Sequence, residues 1–410
     1  MLALSAVATV QLGEVKLGTP IMLAPMAGVT NPPFRQLCRE FAEQALAELP
    51  GPAVAPVRGT LAPAGLYVCE MITSRALLER IPETMNMIQP DPGDPVRSIQ
   101  LYGVEPANIY QAAKLLAAQG WADHIDLNFG CPVPKVTRKG GGAALPWKQD
   151  LFSQIVQAAV RGAAEGSESR DHLVPVTAKL RIGIDADHET FLTAAELCAA
   201  AGISGLTLHG RTLTQHYSGT ADWDRIAQLK SASELPVFGN GDVFEADDAE
   251  RMMAQTQCDG VVVGRGCQGR PWLFYDLVAS AHGSSARMRP SLRQVAQIVM
   301  RHAELSVEHF GSEERALREM RKHVGWYMRG FEVGGKIRGQ LHLVSELAQL
   351  ESLLNSLDLD QPFPQAAIGK RGRAGGEKRA HLPEGWLDSP QLTAAQQQRI
   401  HEAELADSGG

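Results

Sequence analysis

One cysteine stands where it could do chemistry, in the run Asp126-Leu127-Asn128-Phe129-Gly130-Cys131-Pro132-Val133-Pro134-Lys135. It follows a buried-looking strand, His124-Ile125-Asp126-Leu127, and precedes Lys135, Arg138, Lys139 and the glycines Gly140 to Gly142. A strand end that opens into a loop with an ionisable group, cations and glycines is where α/β barrels keep their active sites. A thiol there is a nucleophile or a proton donor. With an ordinary pKa of about 8.5 it is mostly protonated at neutral pH and suits a general acid. A nucleophile needs a lowered pKa and a paired base. Lys135 and Lys139 could lower it, but no Cys–His–Asx arrangement accompanies Cys131.

Other segment ends carry compatible groups. Pro25-Met26-Ala27 closes the first strand with small and apolar groups over which a flat ring system could lie. Gln100 offers an amide that both donates and accepts, and His209 ends a strand before Gly210-Arg211-Thr212. Lys179, flanked by strand apolars, is costly to bury without an anionic partner. Gly239-Asn240-Gly241-Asp242 and Gly264-Arg265-Gly266 end the last two strands, where barrels commonly bind phosphate through backbone N–H groups. A lone His or Gln near a strand end is usually just hydrogen-bonded; polar groups at five strand ends are harder to dismiss.

The elements that must position these groups recur along the chain. Short apolar runs at 21–24, 66–70, 97–101, 125–128, 174–181, 205–209, 237–240 and 260–264 alternate with helical patterns such as 106–119, 151–164, 190–201 and 246–255. Eight such alternations predict an α/β fold, a (β/α)8 TIM barrel over 1–289. A doubly wound sheet is the fallback, but no G-x-G-x-x-G follows the first strand. The Pro/Ala/Gly-rich stretch Pro50–Gly65 reads as a surface insertion, and 162–170 as a smaller loop. After Pro290 the pattern is helical only, predicting a smaller all-helical C-terminal domain over 290–357. Residues 358–410, with Lys370, Arg371, Arg373, Lys378 and Arg379, predict a basic, disordered tail.

Composition bounds the rest. The net charge of −7 means that any nucleic-acid contact must come from a local basic face. Such a face is present: from 315 to 338 there are seven basic residues against Glu319 and Glu332, and Arg315, Arg318 and Lys322 fall at helical spacing. At the barrel mouth Lys135, Arg138, Lys139, Arg181 and Arg211 are further expected phosphate contacts. The six cysteines form no C-x-x-C pair and match no metal pattern, which fits a reducing, cytoplasmic setting. No apolar run reaches the roughly 18 residues of a membrane span. Met1–Val10 lacks a basic leader and is not read as a signal peptide.

Taken together, Ala24-Pro25-Met26-Ala27-Gly28-Val29-Thr30-Asn31, Gln100-Leu101-Tyr102-Gly103, Asn128-Phe129-Gly130-Cys131-Pro132, Lys179-Leu180-Arg181, His209-Gly210-Arg211-Thr212 and Gly239-Asn240-Gly241-Asp242 resemble the tRNA-dihydrouridine synthases, most closely their bacterial B subfamily. The resemblance runs in order from about Gly18 to Leu357. It implies an FMN-dependent barrel, a helical tRNA-binding domain and NADPH (or NADH) as reductant. By matching positions it implies that Pro25, Met26, Ala27, Gln100, Lys179, Asn240, Gly241, Asp242, Gly264 and Arg265 bind FMN and that Cys131 donates a proton. His209 and Asn128 would contact flavin or uracil. The chemistry agrees: uracil accepts hydride at C6, and C5 must then be protonated from the other face. A uridine in folded tRNA must first be turned out of its stack. A free-pyrimidine reductase, a non-catalytic RNA-binding barrel and a flavin-free phosphate-binding isomerase are the alternatives; the helical basic face argues against the first, and Cys131 with Lys179 against the second. A monomer is expected. The Pro50–Gly65 insertion and the basic tail depart from the family's compact pattern.

Overall fold

A computed structural model describes residues 9–50, 54–89, 91–372 and 375–405. The reading of Met1–Val10 therefore falls mostly outside the described residues, as do 51–53 of the insertion and Arg373 of the tail.

Parallel strands run Ile21–Leu23, Leu66–Tyr67 with Ile72–Thr73, Ser98–Tyr102, His124–Phe129, Val176–Arg181, Leu206–His209, Val237–Asn240 and Gly260–Val263. These are the eight barrel strands, first to eighth. The second is broken at Cys69–Met71; its first piece pairs with the first strand and its second with the third, which closes the ring. Runs such as Val261-Val262-Val263 are buried throughout, as expected of parallel strands covered on both faces. Helices Pro106–Ala118, Gln149–Gly166, Phe191–Ala201 and Ala246–Thr256 lie within two residues of the predicted spans. Gly162, expected in a loop, lies within the helix, and it is glycine where the helix packs on the Tyr110 backbone and a side chain would not fit.

The amino-terminal end of the barrel is closed. Val10–Leu12 and Val15–Leu17 form an antiparallel hairpin, and Leu61–Ala62 adds a third strand to it. Leu12, Val15 and Leu17 pack against Met22, Phe238 and Val262 from inside the ring. The insertion is thus surface loop only in part: Val54 and Val57 are exposed, but Leu61–Ala62 helps to seal the floor.

Four helices follow the barrel, Leu292–Phe310, Glu313–Tyr327, Gly335–Leu341 and Leu347–Asn355. The first begins at a capping box of Ser291 and Gln294. They share a core of their own, with Val295, Val299, Leu317, Met320, Leu350 and Leu354 around Trp272 and Tyr327.

The segment after residue 357 corrects the expectation of a disordered tail. Buried Arg371 donates to the carbonyls of Ala367, Gln268 and Trp326. The chain then runs along the open rim of the barrel. Lys378 N donates to Thr214 O at 2.8 Å, Trp386 is 1% exposed, and Lys148 Nζ donates to Ser389 O and Gln391 O at 2.6 and 3.1 Å. A helix, Ala394–Leu405, ends the described chain. A composition rich in Gly, Ala, Lys and Arg from Gln365 onward suggests disorder; a few apolar anchors, Leu382, Trp386, Leu387 and Leu392, packed against the barrel core, decide otherwise.

Candidate active site

Strand register sets the site. Asn128 is opposite Lys179, Arg181 opposite His209, and His209 opposite Asn240. Groups far apart in sequence thus fall on two rungs, two residues apart, at the carboxyl ends of the strands. This is the open end, since the hairpin closes the other.

A ladder of buried polar side chains climbs to this end. Thr177 Oγ1 donates to Asp126 Oδ1 at 2.7 Å, and Gln100 Nε2 donates to Asp126 Oδ2 at 2.7 Å. The Thr177 hydroxyl has one hydrogen, so at His124 Nε2, 3.0 Å away, it must accept. The His124 proton is then on Nε2, and Nδ1 accepts from Ser98 Oγ at 2.8 Å. Burial holds His124 neutral, its pKa lowered to about 3. Above, Asn128 Nδ2 donates to Gln100 Oε1 at 2.8 Å, and Asn128 Oδ1 accepts from the backbone N–H groups of Gly130 and Cys131 at 3.1 and 2.9 Å. Asn128, half-buried, therefore sets the backbone of the cysteine.

Cys131 is half-buried at this end. Burial raises its pKa, outweighing the hydrogen bond with the Val133 backbone and the charges of Arg181 and Lys179, which lower it. Both of these cations come from the fifth strand. The thiol is a protonated group at neutral pH.

The opposite side of the mouth is cationic. Lys179 Nζ donates to Asn240 Oδ1 at 3.1 Å, and Asn240 Nδ2 is held by Val262 O at 2.7 Å. Burial lowers the Lys179 pKa to about 8, with Arg181 adding to the effect. His209 is pushed well below its ordinary value by burial and by Arg181, Lys179, Arg211 and Arg265. Asp242 is paired with Arg211 at 2.8 Å and Arg265 at 3.2 Å. In the turn between, Gly241 has φ of +121°, and a Cβ there would come within 2.7 Å of Ala221 and 3.0 Å of His209, so the Asn-Gly-Asp turn admits only glycine at its centre.

Two expected phosphate contacts are placed differently. Arg181, 4% exposed, donates to Gly130 O, Thr212 O and His216 O. Arg211, 1% exposed, donates to Ser218 O, Gly219 O and Asp242. Both hold loops together; neither stands at the surface. Lys135 and Arg138 are exposed on the cysteine's loop, and Lys139 is half-buried there. Pro25 and Met26 are half-buried and Ala27 exposed at the first strand's end, and a Cβ at Gly264 would lie 3.6 Å from Met26 Sδ. Arg315, Arg318 and Lys322 lie on helix Glu313–Tyr327; Arg315 and Arg318 are exposed. Lys322 pairs with Glu319 at 2.8 Å and sits over Gly28, which brings that helix to the mouth.

Sequence reasoning missed Asp126, Thr177, Tyr217 and Glu70. The alternation His124, Asp126, Asn128 and Thr177, Lys179, Arg181 was the available signal, because every second strand residue points to the same face. Tyr217, whose ring lies near His209 with Arg265 4.9 Å and Arg181 5.6 Å from its centroid, had no such signal. Glu70 accepts from Gly28 N across the break in the second strand.

A sequence model of the dihydrouridine synthase family matches residues 22–367. The chain belongs to that family. A Mycobacterium leprae protein named as a probable tRNA-dihydrouridine synthase is 54% identical over 377 residues, covering 90% of this chain and 96% of its own length. A Mycobacterium tuberculosis protein of the same name is 50% identical over 93% of this chain and 92% of its own. The tRNA-dihydrouridine synthase B of Pseudomonas aeruginosa is 36% identical over 82% of this chain and 92% of its own. The chain is accordingly an enzyme of a flavin oxidoreductase family. The donor set fits a flavin: Lys179, Arg181, Arg211 and Arg265 gather at the mouth, Asp242 pairs with Arg211 and Arg265, and Asp126 acts on Lys179, so these cations outnumber the carboxylates beside them and favour an anionic group. Among the described residues no helix is long and apolar enough to cross a membrane.

Proposed function

We propose that this chain reduces uridines in tRNA to 5,6-dihydrouridine, with FMN as its flavin and NADPH or NADH as the source of electrons. When bound, FMN supplies the hydride that uracil C6 accepts. Lys179, fixed by Asn240, would face the ring's polar edge. Pro25, Met26 and Ala27 would lie along the ring, and Gly264, Arg265 and the turn Asn240–Asp242 would receive the phosphate. Gln100 and His209 complete this wall.

The observation that carries the reading is the half-buried thiol of Cys131, kept protonated beside Lys179 and Arg181 at the open end of the barrel. Burial keeps the proton on sulfur at neutral pH, and the flanking cations stabilise the thiolate left once C5 has taken that proton. Two basic surfaces flank the mouth: exposed Lys135 and Arg138 on the cysteine's loop, with Lys139 beside them, and Arg315, Arg318 and Lys322 on the helical domain. They support a polyanion held across the mouth while one base is turned into it. A cytoplasmic monomer is the simplest setting for this activity.

Cys131→Ala tests the assignment. The variant should still take up FMN and should lose dihydrouridine formation on unmodified tRNA by roughly 10²–10⁴-fold. Nucleoside analysis of the tRNA product gives the answer. Turnover at the wild-type rate would remove the cysteine from the mechanism.

A further inference from the structure

Trp386 lies 19 residues beyond the last position matched by the family model, yet it is buried in the barrel's core cluster. Its indole Nε1 donates to Ala144 O at 3.0 Å. Its ring fills the space over Gly140, whose φ of +77° and missing Cβ leave room for it; a methyl group there would collide with the ring. Both contacts fall on the loop that carries the cysteine. One residue from Ala144, Ala143 N donates to Cys131 O at 3.0 Å, and Gly142 packs against Cys131. Flanking residues of the same segment strengthen the grip. Ala380 and Leu382 pack on Ala143, Ala144 and Leu213, and Lys148, 5.0 Å over the Trp386 ring, is held by Ser389 O and Gln391 O.

The cysteine's backbone is thus fixed from two sides. Asn128 holds its N–H from inside the barrel, and Ala143 holds its carbonyl on a loop pinned from outside by Trp386. We infer that Trp386 is a positioning residue for Cys131, and that the carboxy-terminal strap is a working part of the active site rather than an appendage. The inference rests on the reading of Cys131 as proton donor. Its physical content is that an acid displaced by about 1 Å from its acceptor can lose up to about 10²-fold in rate. Releasing the loop also exposes the thiol, whose protonation depends on burial.

The test uses the full-length, flavin-loaded protein with unmodified tRNA. Trp386→Ala should lower kcat for dihydrouridine formation by roughly 10- to 100-fold, with KM for tRNA within about threefold, because the strap's basic residues and the helical domain are untouched. Alkylation by iodoacetamide reports on the thiol itself, since the other five cysteines are buried. It should become several-fold faster in Trp386→Ala, and its pH profile should move down toward that of an ordinary thiol. Gly140→Ala, which pushes on the same ring, should act in the same direction. Trp386→Phe keeps a ring and loses the indole N–H; about fivefold loss is expected, the value of one hydrogen bond. If Trp386→Ala gives no folded protein, Trp386→Phe and Gly140→Ala decide the matter by the same two readouts. Wild-type kcat and wild-type alkylation in the folded variants would overturn the bracing role, even with Cys131→Ala inactive. If Cys131→Ala is itself active, the underlying reading fails instead.

Discussion

On the side of the mouth built by the third to fifth strands, buried polar side chains satisfy one another: Ser98, His124, Thr177, Asp126, Gln100 and Asn128 form one continuous chain. On the side built by the fifth to eighth, buried cations are satisfied by loop carbonyls and by Asp242. The first arrangement fixes geometry, since each group has a neighbour that dictates its orientation and even its tautomer. The second concentrates charge, since carbonyls position a guanidinium without neutralising it. Cys131 lies between them. Its backbone belongs to the ladder through Asn128, and its sulfur lies within the field of Arg181 and Lys179. The fold thereby keeps a proton on a thiol that the nearby cations would draw off, because burial outweighs them.

If that division is right, cutting each side should do different things. The largest effect on stability should come from Asp242→Asn. It leaves Arg211, 1% exposed, without its carboxylate, and breaking a buried ion pair from one side costs about 3–5 kcal/mol. Thermal unfolding of the flavin-free protein measures this directly; a loss under about 1 kcal/mol would mean that the carbonyls alone suffice and that the two sides do not differ in kind. A smaller effect is expected from Thr177→Val on the ladder side. The change keeps the shape and removes the hydroxyl, leaving Asp126 Oδ1 and His124 Nε2 without their shared partner, at a cost of about 1–3 kcal/mol. Its signature should be in turnover more than in flavin content, because Asp126 and Gln100 lead to Asn128 and the cysteine's backbone. Lost flavin with normal turnover of the loaded fraction would show that the ladder serves the cofactor alone, through Gln100, and not the cysteine.

The two sides also differed in how far they could be read in advance. Cys131, Lys179, Asn240 and Asp242 stood out because glycines and prolines mark strand ends and because a lysine or thiol there is chemically conspicuous. The barrel itself followed from eight apolar runs spaced by helical periodicity. The ladder was harder to see: Thr177 and Asp126 lie inside strands, where a single polar residue reads as an interruption until the register pairs it with another. Arg181 and Arg211 were misjudged for a related reason. An arginine beside a strand end looks like a phosphate contact, and nothing local reveals that the loop 212–219 folds back to offer it carbonyls. The strap was missed because composition averages over a segment, whereas its order depends on a few anchors, Trp386 above all, meeting a surface more than 200 residues away.

The smallest effect, and the one that bears most directly on the cationic side, concerns Lys179. Its folded pKa of about 8 lies below the ordinary 10.5, so between those values the unfolded chain binds more protons than the folded one. Stability contributed through this group must therefore rise as pH increases across that window, and below about pH 8 the folded state carries the full cost of a buried ammonium. Lys179→Met removes the group and keeps a side chain of similar length. In the flavin-free state the variant should be the more stable protein at pH 7, by a few degrees in Tm at most, and its advantage should shrink as pH is raised from 8 toward 10.5. Flavin should reverse the order, since an anionic ring edge would stabilise the charged lysine and the variant has nothing to offer it. A variant that is less stable than wild type at pH 7 without flavin would mean that Lys179 is already neutralised within the chain, with Asp126 as the available carboxylate, and that the cationic side is not held in reserve for a ligand.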